Sequence, residues 1–440
     1  MSIELWPGRK QATGAGPVDF PPPGIHHGGN PDGHGVFMTE REFALDVVRR
    51  LAAAGYITYW AGGCVRDELL GLAPADYDVA SNARPEQVVK LFRRTVEVGA
   101  SFGVVEVIGP RREDDTHHKV QVATFRSDGA YLDGRHPESV TYATAEEDAS
   151  RRDFTINGMF FDPVAEQVMD FVGGQQDLQA KILRAIGDPR ARFQEDKLRL
   201  MRAVRMSARF GFPIEEATKA AIREMAPQIT VVSAERIAEE FRKMLEHPAR
   251  AGAMAQLREI GLLSPILPEI AKGLTADETT WDRVLRVLES LPTKAEFPLA
   301  FAAMIHPVGK KLAGQACRRL KLSNHEQARV EWLAEHHLTL RDAEKMPKSR
   351  LYPLLIQPGI RDLIDLHRAM GQSPEFTERI LRDTPPETLN PPPLLTGDDL
   401  TANGFTPGPM FKKILQATRD AQLDGEITTL EEAMAMAGRM

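Results

Sequence analysis

Cysteine is almost absent: Cys64 and Cys317 are the only two in 440 residues. Two thiols cannot build a disulfide framework or a cysteine-rich zinc site, which leaves a reduced, cytoplasmic setting as the expectation. Long apolar runs are missing as well. The longest, residues 297–305, is about half of the ~18 residues that a membrane span requires. The N-terminus has no apolar core of the signal-peptide kind, so export is not expected. An excess of positive charge is also lacking, because 55 Lys and Arg face 62 Asp and Glu, a net charge of −7. The chain as a whole therefore does not attract a polyanion, and any contact with nucleic acid must come from local clusters. Lys310, Lys311, Arg318, Arg319 and Lys321 form one such cluster, which reads equally as a solvated helix face.

What is present is an ordinary globular composition, 42% hydrophobic and 27% charged, in a chain long enough for two to four domains. Residues 1–36 are rich in Gly, Pro and His, lack periodicity and read as a flexible extension; His26 and His27 have no metal-site spacing. From Thr39 the pattern changes. Thr39 with Glu42 makes a capping box, and Phe43, Val47, Val48 and Leu51 fall on one helical face. A strand is expected over 56–60, a helix near 65–70, a strand at 77–80 and a helix opening at Pro85. Further strands are expected over 95–98, 104–108 and 120–125, with 109–118 as a hairpin loop. These strands are spaced too closely for a doubly wound parallel sheet, so the class is α/β (α+β) with a small mixed sheet. After about Gly174 strand signals nearly vanish. Stretches such as 196–209, 234–245 and 250–260 read as helices, and the Pro-rich 384–393 as a linker before a last helical unit.

The densest chemical signal is Gly62-Gly63-Cys64-Val65-Arg66-Asp67-Glu68-Leu69-Leu70-Gly71, followed by Asp76-Tyr77-Asp78. Paired glycines between a strand and a helix let backbone amides approach an anion, and Arg66 can add charge-assisted bonds to phosphate. Alone, such a turn is usually structural. Asp76 and Asp78, two apart on a strand, project from one face. Two adjacent carboxylates repel unless a cation lies between them, and hard oxygen ligands suit Mg²⁺. Taken alone, D-x-D reads also as a pair of solvated turn residues.

Together these segments resemble the first motif of the class II CCA-adding enzyme and bacterial poly(A) polymerase family, within the polymerase β nucleotidyltransferase superfamily. The resemblance continues in order. Arg151-Arg152-Asp153-Phe154-Thr155-Ile156-Asn157 is similar to the family's second motif, which implies that Arg152 and Asp153 contact the sugar and phosphate of the incoming nucleotide. Glu195-Asp196-Lys197-Leu198-Arg199, running on through Arg202 and Arg205, is similar to the motif that selects the base. On a helix, Asp196 and Arg199 are neighbours at i, i+3. Ionised Asp only accepts and Arg only donates, so together they complement the donor and acceptor edges of cytosine and of adenine. Uracil and guanine present the opposite pattern and leave polar groups unpaired, at about 1–3 kcal/mol each. Arg199, Arg202 and Arg205 could also reach a triphosphate. Read in isolation, these segments are an Arg–Asp ion pair capping a helix and a charged surface helix. Ser233-Ala234-Glu235-Arg236-Ile237-x-x-Glu240 is similar to the next motif, which braces the nucleotide-selecting helix, and 395–409 to the family's tail.

The resemblance spans roughly residues 55–245 and, more loosely, the C-terminus. It implies addition of C, C and A to the tRNA 3′ end from CTP and ATP with release of pyrophosphate, Asp76 and Asp78 being catalytic Mg²⁺ ligands and Gly63 and Arg66 phosphate ligands. It further implies a flexible extension (1–36), a catalytic head (37–173), a nucleotide-selecting and RNA-binding neck (174–245), a body (246–383) and a tRNA-holding tail (384–440), all-α after the head. Phe125-Arg126-x-Asp128-x-x-Tyr131-x-Asp133-x-Arg135-His136-Pro137, with Gly129 and Gly134, resembles the flexible loop of enzymes that add the terminal A. One departure stands out: Gln121 occupies the strand position where relatives often have Glu, with Glu106 an unproven substitute as third acidic residue. An A-adding enzyme, a poly(A) polymerase and an inactive RNA-binding module are the competing readings.

Overall fold

The computed structural model describes residues 38–99, 103–112, 114–128, 140–275 and 277–440. The N-terminal extension and the loop residues Gly129, Tyr131, Asp133, Gly134, Arg135, His136 and Pro137 lie outside the described residues. The chain forms two compact units, one of Met1–Arg126, Tyr142–Ala149 and Asn157–Phe171, the other of Ser127–Thr141, Ser150–Ile156 and Val172–Met440.

In the first unit, α1 (Glu40–Ala53) opens on the expected capping box, Thr39 and Glu42 satisfying each other's backbone amides. Its buried stripe is Phe43, Ala44, Val47, Val48 and Leu51. There follow β1 (Thr58–Ala61), α2 (Gly63–Leu69), β2 (Asp78–Ser81), α3 (Pro85–Leu91), β3 (Thr95–Gly99), β4 (Val104–Arg111) and β5 (His117–Thr124). The short strands β6 (Arg126–Asp128) and β7 (Val140–Tyr142), most of whose residues belong to the other unit, pair with each other. After α4 (Ala145–Ser150), β8 (Phe160–Asp162) and β9 (Gln167–Met169) complete the main sheet.

That sheet has seven strands in the order β3-β4-β5-β2-β1-β8-β9, with β2 and β5 parallel and the other described pairs antiparallel. It is mixed, as expected. The row Val79, Val122, Val105 is fully buried, and α1 packs against β1 and β5. The adjacent row, Asp78, Gln121, Glu106 and Val96, points to the other face. One expectation needs correction, and two strands were not expected at all. The loop proposed for 109–118 is shorter than expected and half strand, since β4 runs to Arg111 and β5 starts at His117. β8 and β9, three residues each, are too short to show alternation in sequence.

The second unit is helical, with α5 (Gly174–Ala180), α6 (Pro189–Glu195), α7 (Leu198–Phe210), α8 (Glu216–Met225), α9 (Ala234–Leu245) and α10 (Arg250–Glu259) leading. Next come α11 (Leu263–Ile266), α12 (Pro268–Thr275), α13 (Glu278–Ser290), α14 (Phe297–Ile305), α15 (Gly309–Arg319) and α16 (Asn324–His336). The last are α17 (Lys348–Leu355), α18 (Ile360–Ala369), α19 (Glu375–Asp383), α20 (Pro386–Leu389), α21 (Gly397–Ala402), α22 (Pro409–Asp424) and α23 (Leu430–Ala437).

The apolar run in 297–305 is α14, apolar on all sides and buried at every position but Pro298. A helix of that kind belongs in a core. The terminal helices close on their own cluster of Leu395, Leu400, Ile414, Ala433 and Ala437. The Pro-rich segment before them is pinned rather than loose, because Arg419 and Gln422 of α22 donate to the carbonyls of Pro391 and Pro392 at 2.7 and 2.8 Å.

Candidate active site

The turn between β1 and α2 needs its first glycine. Gly62 has φ +72° and ψ −118°, a region open to glycine, and its N–H donates to the Met159 carbonyl at 3.1 Å. Gly63 opens α2, and a Cβ there would stand 3.6 Å from Arg66 Nη2. The guanidinium thus lies beside the amides at the helix start. Arg66 is buried and oriented by Asp67, which accepts from Nε at 2.7 Å, and by Asn157 at 2.5 Å. Asn157 closes the second motif, and its orienting part went unnoticed in the sequence.

Asp78 opens β2, flanked by Ala61 on β1 and Gln121 on β5. Asp76 is not on a strand, contrary to expectation; it precedes β2. The alternation nevertheless holds, with Asp76 and Asp78 exposed and Tyr77 and Val79 buried, so both carboxylates face away from the core. Gln121 lies directly beside Asp78, and Glu106 one strand further on. At about 4.8 Å per strand, Glu106 is roughly 10 Å of backbone spacing from Asp78. Its carboxylate pairs with Lys119 at 3.0 Å. Among the described residues no group of three or more His, Cys, Asp or Glu could hold a metal ion. Asp76 and Asp78 nevertheless offer two hard oxygen donors on one side of the chain, the ligand type that Mg²⁺ takes.

The second unit carries the other motif residues. Asp153, buried, accepts two bonds from Arg202, at 2.8 Å from Nε and 2.5 Å from Nη2. Arg152 stands half-buried beside it. Asp196 is the main correction. The helix expected over 196–209 begins only at Leu198, and Asp196 has extended φ −143° and ψ 107° at the junction of α6 and α7. There Asp196 Oδ1 accepts the Leu198 N–H at 3.0 Å, while its carbonyl accepts the Arg199 N–H at 3.1 Å. Asp196 thus closes a turn onto the first amides of α7 and lies outside the helix on which the i, i+3 relation to Arg199 was expected.

Both side chains are oriented from outside. Arg236 of α9 donates to Asp196 Oδ2 at 2.7 Å. Arg199 bonds Glu195 at 2.5 Å and the carbonyls of Arg192 and Arg151 at 3.0 and 3.1 Å. Glu195 also takes Arg192 at 2.8 Å. Its place four residues before Arg199 was a readable signal for this clamp. Arg205 meets Glu240, nearly fully buried, at 2.7 Å. The motif of Arg236 and Glu240 thus braces the Asp196–Arg205 segment at both ends, as expected. Lys197, buried between, donates to Gln194 Oε1 at 2.8 Å, and burial lowers its pKa.

The family model of the Poly A polymerase head domain matches residues 58–184. Models for the RNA- and SrmB-binding region of polymerase A and for tRNA nucleotidyltransferase domain 2 match 211–274 and 293–437. The CCA-adding enzyme of Streptococcus mutans is 33% identical over 404 residues, 90% of this chain and 96% of that protein. The chain belongs to the CCA-adding enzyme family. The CCA-adding enzyme of Geobacillus thermodenitrificans is 38% identical over 282 residues, 64% of this chain and 66% of its own length. Among solved structures, the Bacillus stearothermophilus CCA-adding enzyme in complex with CTP superposes with a TM-score of 0.74 at 29% identity, covering 92% of this chain and 98% of that one. The Thermotoga maritima CCA-adding enzyme complexed with tRNA shares the fold, with a TM-score of 0.61 at 20% identity over 89% of this chain and 94% of that one.

In this CCA-adding family member the basic cluster near α15 is largely neutralised. Lys310 pairs with Glu335, Arg318 with Glu331, Arg319 with Glu269 and Lys321 with Glu235. Cys64 and Cys317 are buried free thiols, each pushed up to about 12 chiefly by burial, which keeps them protonated and unreactive. No helix among the described residues is long and apolar enough to cross a membrane.

Proposed function

We propose that this chain adds C, C and A to the 3′ end of tRNA without a nucleic-acid template, consuming CTP and ATP and releasing pyrophosphate. Asp76 and Asp78 hold Mg²⁺, whose charge, when bound, assists deprotonation of the attacking 3′-hydroxyl and offsets the charge on the departing pyrophosphate. The α2 amides at Gly63, with Arg66, hold phosphate. Arg152 and Asp153 hold phosphate and ribose. Arg202 and Arg205 flank the nucleotide's triphosphate, and they also fix Asp153 and the α7–α9 contact. Asp196 and Arg199 read the base.

The observation that carries this reading is the α6–α7 junction. There an acceptor-only and a donor-only side chain are each clamped by a separate partner. A preset pair of this kind can complement cytosine and adenine but not uracil or guanine. The neck over 174–245, body over 246–383 and tail over 384–440, the tail holding tRNA, complete the proposal, as does a reducing cytoplasmic setting, supported by the two buried free thiols.

The deciding experiment supplies tRNA transcripts ending before CCA, after C and after CC with each labelled nucleotide in turn. CTP must enter the first two and ATP the third. Incorporation of ATP alone would point to an A-adding enzyme, and long A tails on many RNAs to a poly(A) polymerase.

A further inference from the structure

Asp78 is held by ladders on both sides, but neither ladder extends to Asp76. What fixes the direction of Asp76 is its neighbour. Tyr77 is buried, with its ring packed edge-on against Trp60 at 4.8 Å. Its hydroxyl donates to Glu68 Oε1 at 2.6 Å, and the same oxygen accepts Arg41 Nε at 2.9 Å. The Arg41 guanidinium in turn lies over the Trp60 ring, 5.0 Å from its centroid. One side chain between the two aspartates is thus tied to α1, α2 and β1. Planarity of the 76–77 peptide leaves few soft rotations between an anchored Tyr77 and the Asp76 side chain.

We propose that Tyr77, anchored by Glu68 and Arg41, is a positioning residue that aims Asp76 and thereby sets the enzyme's affinity for its divalent cation. This rests on the reading of Asp76 and Asp78 as cation ligands. Mg²⁺ tolerates little departure from octahedral geometry, and groups that orient its ligands commonly change affinity by about 10-fold or more.

The test uses the full chain and Tyr77→Phe, which removes one oxygen and keeps the ring on Trp60. CTP incorporation is measured against Mg²⁺ concentration, and Mn²⁺ binding separately by electron paramagnetic resonance with CTP present. The half-saturating Mg²⁺ and the Mn²⁺ dissociation constant should both rise on the order of 10-fold. The KM for CTP and the rate at saturating Mg²⁺ should stay within about two-fold, with the thermal melt preserved. Glu68→Ala should reproduce the shift, and Glu68→Gln, which keeps an acceptor oxygen, should recover most of it. Wild-type metal curves for Tyr77→Phe, or a loss of rate that excess Mg²⁺ does not rescue, overturn the proposal. Asp76→Asn separates the two claims: turnover surviving in that variant removes the cation-ligand reading itself, whereas an inactive Asp76→Asn beside an unshifted Tyr77→Phe removes only the role of Tyr77.

Discussion

Arg236 and Asp196, forty residues apart in the chain, meet at 2.7 Å, and the other carboxylate oxygen of Asp196 accepts the Leu198 N–H at the start of α7. The proposed base reader is therefore oriented from both sides before any nucleotide arrives. Arg236→Gln frees one side. Its catalytic efficiency with CTP should fall about 10-fold, about 1.4 kcal/mol, with a rise in UTP misincorporation. Competition between labelled nucleotides reads both, and an unchanged ratio would show that α9 braces the fold without tuning the choice.

Arg199 is the donor half of the proposed pair. Replacing it with Ala should cost about 1–3 kcal/mol of discrimination, so C and A should lose about 5-fold or more of their advantage over U and G. Single-nucleotide incorporation assays measure this directly.

Asp76→Ala and Asp78→Ala remove the two oxygen donors. Incorporation should fall by on the order of 10³-fold or more while tRNA retention on a filter persists. Turnover near wild type in either variant refutes the metal assignment.

Arg250 is a structural counterpart to these sites. It is buried, and its guanidinium donates to the carbonyls of Leu245, Leu288, Leu291, Pro292 and Thr293, which ties the end of α9 to the chain after α13. Arg250→Met leaves those carbonyls short of donors. Unfolding in urea should show a loss of about 3 kcal/mol or more.

His306 is buried, donates from Nδ1 to the Ala303 carbonyl at 2.8 Å, and has its pKa lowered from 6.5 to about 4, mainly by burial. The unfolded chain takes up a proton near pH 6.5 that the folded one refuses until about pH 4. The stabilisation is complete above the first value and is lost as pH falls toward the second. By pH 5 this single group should cost about 2 kcal/mol. His306→Gln should flatten that part of the stability profile, as urea unfolding at pH 7 and pH 5 will show.

Much of the architecture was legible because it is local. Thr39 and Glu42 start α1, Pro85 starts α3 in its first turn, and the stretch 234–245 is α9 to the residue. The alternation that puts Asp76 and Asp78 on one side of Tyr77 was legible too. The interruption at Asp196 was not, because no Pro or Gly marks it and the charges continue at helical spacing. Nor could the equal spacing of Arg199, Arg202 and Arg205 disclose that Arg202 bonds Asp153 and Arg205 bonds Glu240.

The sequence by itself determined the chemistry on offer: two neighbouring carboxylates, a glycine turn beside an arginine, and an acid and a base three residues apart. Periodicity, caps and side-chain types act over a few residues, and those are written in order along the chain. Only the tertiary structure decided which charges orient one another, such as Arg236 with Asp196 or Arg202 with Asp153. Those partners are chosen by packing between elements distant in the chain, for which local spacing carries no information.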